Sequence, residues 1–211
     1  MDGVHQIRVL EVLASRSLAG ESAHVAALVA GLAPERFEIH LACSPEAPLA
    51  DQFDRASITT HLLRTPGWLN WHACWQLRRI VSEARIDLVH VHGNRAGLAA
   101  LLAARTRRAA YLCTVHGWEW LRCRDPISVH LIRAIEGMVT RRADLVVCLT
   151  PEDLVAGIRL GLVDPTRSRL IPDGAERSGR QSGWRPGDRP EMSADVAAIY
   201  EALVSLRTLS S

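Results

Sequence analysis

Three histidines in this chain stand where an open parallel sheet gathers its chemistry. His90 and His92 end the run Leu88-Val89-His90-Val91-His92-Gly93, and His116 follows Tyr111-Leu112-Cys113-Thr114-Val115, directly before Gly117. Both runs are short, apolar and followed by helix-like segments, the pattern of buried parallel strands. Ligands of such sheets bind in the crevice beyond the carboxyl ends of the strands. A neutral imidazole there can hydrogen-bond a ligand hydroxyl or stabilise developing charge, and the adjoining glycines let a ligand approach the backbone. His116 is the first candidate for that role. Alternate strand residues share a face, so His90 and His92 point the same way. His90 is deeper and reads as a bonded core histidine, whereas His92 at the rim reads equally as core or as ligand-facing. An HxH pair also suits a metal, but the later strand ends, Cys148-Leu149-Thr150 and Ile171-Pro172-Asp173, offer few further ligands. No metal and no cofactor are expected.

The second candidate is the stretch Ala14-Ser15-Arg16-Ser17-Leu18-Ala19-Gly20-Glu21-Ser22 after the first strand. Small residues before a helix leave backbone N–H groups pointing outward, a cradle for phosphate. There is no GxGxxG, and the segment also reads as an ordinary turn capped by Ser17 or Ser22. All 25 basic residues are arginine. The absence of lysine rules out a phosphate-loop lysine and a Schiff-base lysine.

The third feature is a helix over residues 71–84. Its sheet-facing side carries Leu69, Ala73, Leu77, Ile80, Val81 and Ala84; Trp68, Trp71, Trp75, Arg78, Arg79, Ser82 and Arg85 lie opposite. Tryptophan beside arginine on an outer face suits a lipid headgroup region or an anionic partner. Its bland counterpart is indoles covered by loops and arginines in water.

The elements that must position these residues alternate regularly. Strands are predicted at 7–13, 38–43, 59–63, 88–92, 111–115, 145–148 and 169–171. Helices are predicted at 21–32, 49–55, 71–84, 96–105, 129–141 and 152–160. This order predicts an α/β doubly wound parallel sheet over residues 1–174. Residues 175–190 contain little that builds a core and read as a flexible linker. A C-terminal helix follows within 191–211, with Val196, Ile199, Leu203 and Leu206 at helical spacing and Ser193 as its N-cap.

Composition is that of a soluble globule, with 48% apolar residues and a mean hydropathy of +0.04. A net charge of +2 gives no call for nucleic acid. The five cysteines form no CxxC pair and suggest a reducing cytoplasm rather than a disulfide framework. The start shows no signal-peptide pattern, and the longest apolar run is far short of the ~20 residues that span a bilayer.

Taken in order, Leu18-Ala19-Gly20-Glu21, Asp87-Leu88-Val89-His90-Val91-His92-Gly93, Thr114-Val115-His116-Gly117-Trp118 and Ile171-Pro172-Asp173-Gly174 resemble the N-terminal, acceptor-side domain of the GT4-like glycosyltransferases. The resemblance covers about residues 7–174. It implies one Rossmann-like half of a GT-B fold, plus a final helix that crosses back onto that half. By this resemblance Ala19, Gly20 and Glu21 lie near the donor diphosphate, and His116 is the catalytic candidate that contacts the transferred sugar. His92, Gly93, Gly117 and Trp118 would line the acceptor side. The implied partners are a nucleotide sugar and a glycan or lipid-linked acceptor, with the Trp68, Trp71, Trp75, Arg78 and Arg79 face at the inner surface of the membrane. Where the family often has two adjacent glycines, Ala19 replaces the first. Only 37 residues follow Gly174, and no Glu-x7-Glu pair of the family's nucleotide-sugar domain occurs among them. Weak or no transfer is therefore expected from this polypeptide alone. The alternative is a non-catalytic acceptor-binding module, or half of a split enzyme that needs a separate donor-domain polypeptide.

Overall fold

The computed structural model describes residues 6–13, 20–45, 58–63, 71–93, 97–107, 109–172 and 190–209. In chain order these form β1 (Ile7–Leu13), α1 (Glu21–Gly31), β2 (Phe37–Cys43), β3 (Thr59–Leu62), α2 (Trp71–Glu83), β4 (Leu88–His92), α3 (Gly97–Arg107) and β5 (Ala110–Val115). They continue with α4 (Pro126–Arg142), β6 (Leu145–Cys148), α5 (Pro151–Arg159), β7 (Ser168–Leu170) and α6 (Pro190–Leu209). The strands make one parallel sheet in the order β3-β2-β1-β4-β5-β6-β7. The order reverses between β1 and β4, and that switch point is where an open α/β sheet opens a crevice.

Strand periodicity sorts the side chains into two layers. Leu10, Val12, Val89, Val91, Tyr111, Cys113 and Val115 share one face and pack in the core with Leu77 and Val81 of α2, Ala100 and Ala103 of α3, and Val139 of α4. Val9, Leu88, Ala110 and Leu112 share the other face, under Ala27 and Leu28 of α1 and Met192, Val196, Tyr200 and Leu203 of α6. Continuous apolar strands are what a sheet covered on both sides requires.

Two aspartates start central strands. The Asp87 carboxylate accepts from the Arg8 N–H at 2.9 Å, and that of Asp144 from the Tyr111 N–H at 2.7 Å. Arg207 of α6 reaches the same Asp144 carboxylate at 2.6 Å, tying the last helix to the sheet.

Several helix ends differ from those predicted. α4 begins at Pro126 rather than at residue 129, because the Asp125 side chain caps the Ser128 N–H and Pro126 follows at the first helical position. Ser193 is not an N-cap: α6 starts at Pro190, and Ser193 is buried in its first turn, donating to the Ala27 carbonyl at 3.4 Å. The helix expected at 49–55 and the linker at 175–190 fall mainly outside the described residues.

Candidate functional site

The switch point carries a polar chain inside an otherwise apolar layer. Register sets Glu11 of β1 beside His90 of β4, Leu13 beside His92, and His92 beside Thr114 of β5. Glu11, His90 and His92 show no exposed surface. Glu11 Oε2 accepts from His92 Nε2 at 2.7 Å and lies 3.2 Å from His90 Nδ1. Its Oε1 accepts from the Tyr200 hydroxyl at 2.6 Å. His90 also meets that hydroxyl through Nδ1 (2.6 Å) and Thr114 Oγ1 through Nε2 (2.7 Å). From the opposite side of its ring, His92 Nδ1 faces His116 Nε2 at 3.2 Å. His24 of α1 completes the group, its ring centroid 4.9 Å from that of His116 and 5.5 Å from that of His92.

The electrostatics follow from this arrangement. Burial by itself would push the Glu11 carboxyl up, but the His90 imidazole and the hydrogen bonds from His90 and His92 together hold it well below the usual carboxylate range. Burial, then His90, lowers His92 to about 4 against the opposing pull of Glu11. Burial, then His24, His92 and His90, holds His116 well below its ordinary value. At neutral pH His92 and His116 therefore each offer one N–H and one lone pair. With His92 donating to Glu11 through Nε2, its Nδ1 is the lone-pair nitrogen. His116 sits at the partly exposed end of this chain.

The loop after β5 is fastened on both sides. Glu136 of α4 accepts the Glu119 N–H at 2.8 Å. Trp118 donates its Nε1–H to the Asp153 carbonyl at 2.8 Å and packs on Gly157, where a Cβ would lie 2.7 Å from the indole. Trp118 is therefore a buried core residue. His92 is likewise buried and stands behind His116 rather than at the surface. Gly117 takes a φ of +89°, in the left-handed region that favours glycine.

Gly93, at φ +73°, lies under the Glu21 carboxylate, which would collide with any Cβ there. Gly20, at φ +68°, opens α1, and among the described residues no atom lies within 4 Å of a Cβ built there. Glu21, Gly93, His92 and His116 thus come together at the crevice; Ala19 and Trp68 lie outside the described residues. Trp71, Trp75, Arg78 and Arg79 form an exposed face of α2, with the Arg79 guanidinium 5.7 Å from the centroid of the Trp75 ring.

Sequence reasoning missed Glu11, His24 and Tyr200. Glu11 had a local signal: a carboxylate within the apolar run Val9-Leu10-Glu11-Val12-Leu13 must find a partner if the strand is buried. His24 and Tyr200 had none beyond lying on faces that turn inward.

The comparisons agree with the topology. A structure of HepE from Anabaena, in complex with UDP and glucose, superposes with a TM-score of 0.62 at 13% identity, covering 80% of this chain and 45% of that one. MurG of Acinetobacter baumannii superposes with a TM-score of 0.55 at 15% identity, over 79% of this chain and 45% of that one. Among curated proteins, the UDP-Gal:alpha-D-GlcNAc-diphosphoundecaprenol alpha-1,3-galactosyltransferase of Escherichia coli is 26% identical over 162 residues, 74% of this chain and 42% of that protein. The chain thus spans less than half the length of each of these relatives. Residues 19–174 match the family model described as the glycosyl transferase 4-like domain, which is most of the chain, and this protein belongs to that family.

Proposed function

We propose that this chain is the acceptor-side half of a glycosyltransferase that moves a sugar from a nucleotide-sugar donor to a lipid-linked or saccharide acceptor. The observation that carries the reading is His116. It stands at the carboxyl edge of β5, beside the switch point, in a family of sugar-transferring domains, with one ring nitrogen committed to His92 and the other left for a ligand. A neutral imidazole in that position accepts or donates a hydrogen bond to a sugar hydroxyl without the cost of burying a charge. The chain His116–His92–Glu11 would favour any positive charge that develops on the imidazole during transfer. UDP-sugar donors and a diphosphoundecaprenol acceptor are suggested by the relatives' substrates. The α2 face of Trp71, Trp75, Arg78 and Arg79 suits peripheral contact with the membrane that holds such an acceptor. No helix among the described residues is long and apolar enough to cross a membrane.

Calorimetric titration tests the reading. A water-soluble diphosphate-linked GlcNAc should bind saturably, and UDP-sugar should bind weakly or only with a donor-domain polypeptide present. Replacement of His116 by Ala should weaken sugar binding roughly tenfold, as expected for one lost hydrogen bond in a desolvated site. Equal affinity of H116A and wild type for both ligands would remove His116 from the site. No binding of either ligand, alone or with the partner polypeptide, would sink the transferase reading.

A further inference from the structure

We propose that Arg122 and the outward row of α4 seat the lipid part of the acceptor, the guanidinium taking the diphosphate and the row the first units of a polyprenyl chain. The inference rests on the diphosphate-linked lipid acceptor of the proposed function and says where its head and tail lie. Ile127, Leu131, Ala134 and Met138 recur at i, i+4, i+7 and i+11, so they stand one above another on a single side of the helix. All four are exposed, Ile127 at 80% and Leu131 at 60%. Glu136, Val139 and Thr140 are on the buried side of the same helix. At about 1.5 Å per residue the row is about 16 Å long. Leu121, also 60% exposed, precedes it in the turn Glu119–Arg122.

The row begins beside the candidate site. The Arg122 guanidinium lies 3.7 Å from where a Cβ on Gly117 would stand, and Gly117 directly follows His116. Arg122 and Arg124 are exposed, and neither forms an ion pair with a described residue. A guanidinium binds phosphate oxygens two at a time and stays charged at any working pH. The Asp125 carboxylate next to them is spent on the Ser128 N–H at 2.9 Å. A depression of about 490 Å³, lined by Pro126, Ile127, His130 and Leu131, opens at the start of the row.

Large apolar side chains kept together in water on a well-fastened element mark a contact surface. This element is fastened by the Asp125 cap, by Glu136 on the Glu119 N–H and by Trp118 on the Asp153 carbonyl. The row is one side chain wide, with His130 and Arg141 along one flank and Arg142 along the other. That is far narrower than the roughly 800 Å² per side that a stable protein interface buries. A flexible hydrocarbon chain needs only such a track. Cationic at the crevice end and apolar beyond it, the surface complements a diphosphate that carries a hydrocarbon tail. A helix read from residue 129 leaves out Ile127, so the row is not legible from the sequence.

The test uses no sugar, so it can fail while the sugar titration above succeeds, and the reverse. The full chain is titrated by calorimetry with inorganic pyrophosphate, geranyl diphosphate and farnesyl diphosphate, each below its micelle concentration. Affinity should rise along this series, by at least roughly tenfold from geranyl to farnesyl, since partial burial of the added apolar carbons suffices for that. I127S/L131S should remove the gain with chain length and keep the pyrophosphate affinity. Both side chains are exposed, so the variant keeps the fold, which circular dichroism checks. R122Q should weaken all three ligands alike, by roughly tenfold. L206S, at a leucine of α6 that is 62% exposed, should change nothing. Equal affinity for the three ligands, or a chain-length gain that survives I127S/L131S, overturns the proposal. So does sedimentation with phosphatidylcholine vesicles, or a dimer, that I127S/L131S abolishes while the soluble series shows no gain; the row would then serve a bilayer or a second copy.

Discussion

A carboxylate in the middle of a sheet is tolerated only when both of its oxygens are bonded, and Glu11 meets that condition through three residues of two elements. His92 and His90 come from the neighbouring strand and Tyr200 from the last helix. The Tyr200 hydroxyl also lies 2.6 Å from His90 Nδ1, so its loss leaves two buried groups short of a partner. Tyr200→Phe keeps the ring and its packing on Phe37, where the ring centroids are 5.9 Å apart. It should therefore destabilise the chain by about 1–3 kcal/mol, the cost of an unsatisfied buried polar group. Chemical denaturation should show a lower midpoint at an unchanged slope. A change within about 0.5 kcal/mol, the range of an ordinary surface substitution, would mean that Glu11 is not held as a carboxylate.

At the scale of elements, α2 divides its labour as its periodicity predicts. Ala73, Leu77 and Val81 are buried against the sheet, and Trp71 (82% exposed) and Trp75 (57%) face outward. Arg79 is partly committed, stacking over Trp75 and bonding Glu83 at 2.7 Å, so Arg78 is the freer charge for a phosphate surface. Sedimentation with vesicles of anionic lipid should carry the chain down at low salt. W71A/W75A should reduce the bound fraction severalfold without changing the melting temperature, since neither indole is in the core. Equal binding by the double variant would assign membrane contact to another surface. Helix ends show where local reading falls short. The Asp125-Pro126 start of α4 is a clear cap signal that apolar spacing alone overlooks. The start of α6 escapes local reading because Ser193, a good cap by type, is used in packing against α1.

For the whole molecule, the apolar layer between the sheet and α2, α3 and α4 holds its own titrating groups. Burial, with Asp153 nearby, pushes the Cys148 thiol up to about 12. Burial, then Cys148 and Glu136, pushes Cys113 up further, and burial raises the Tyr111 phenol well above its usual value. An unfolded thiol releases its proton around its ordinary value of 9.0, while the folded chain keeps it. Above that pH the unfolded state binds fewer protons than the native state, so stability falls as pH rises from about 9 toward 12 and is intact below 9. Denaturant midpoints measured from pH 8 to pH 11 should decline across that window; a flat profile would mean that these groups are solvated.

Much of this protein is written locally. Continuous apolar runs between amphipathic helices determine a parallel α/β sheet, because only strands covered on both faces read that way. The same runs place His92 and His116 at strand ends. What the tertiary structure alone decided is which side chains meet. Glu11 and Tyr200 lie 189 positions apart and come together because the strand order sets β1 beside β4 and α6 folds back across both. His24 reaches His116 because α1 covers that same face. Periodicity tells a residue which way it points, but its partner depends on strand order, register and helix placement, which are settled by packing of the whole chain.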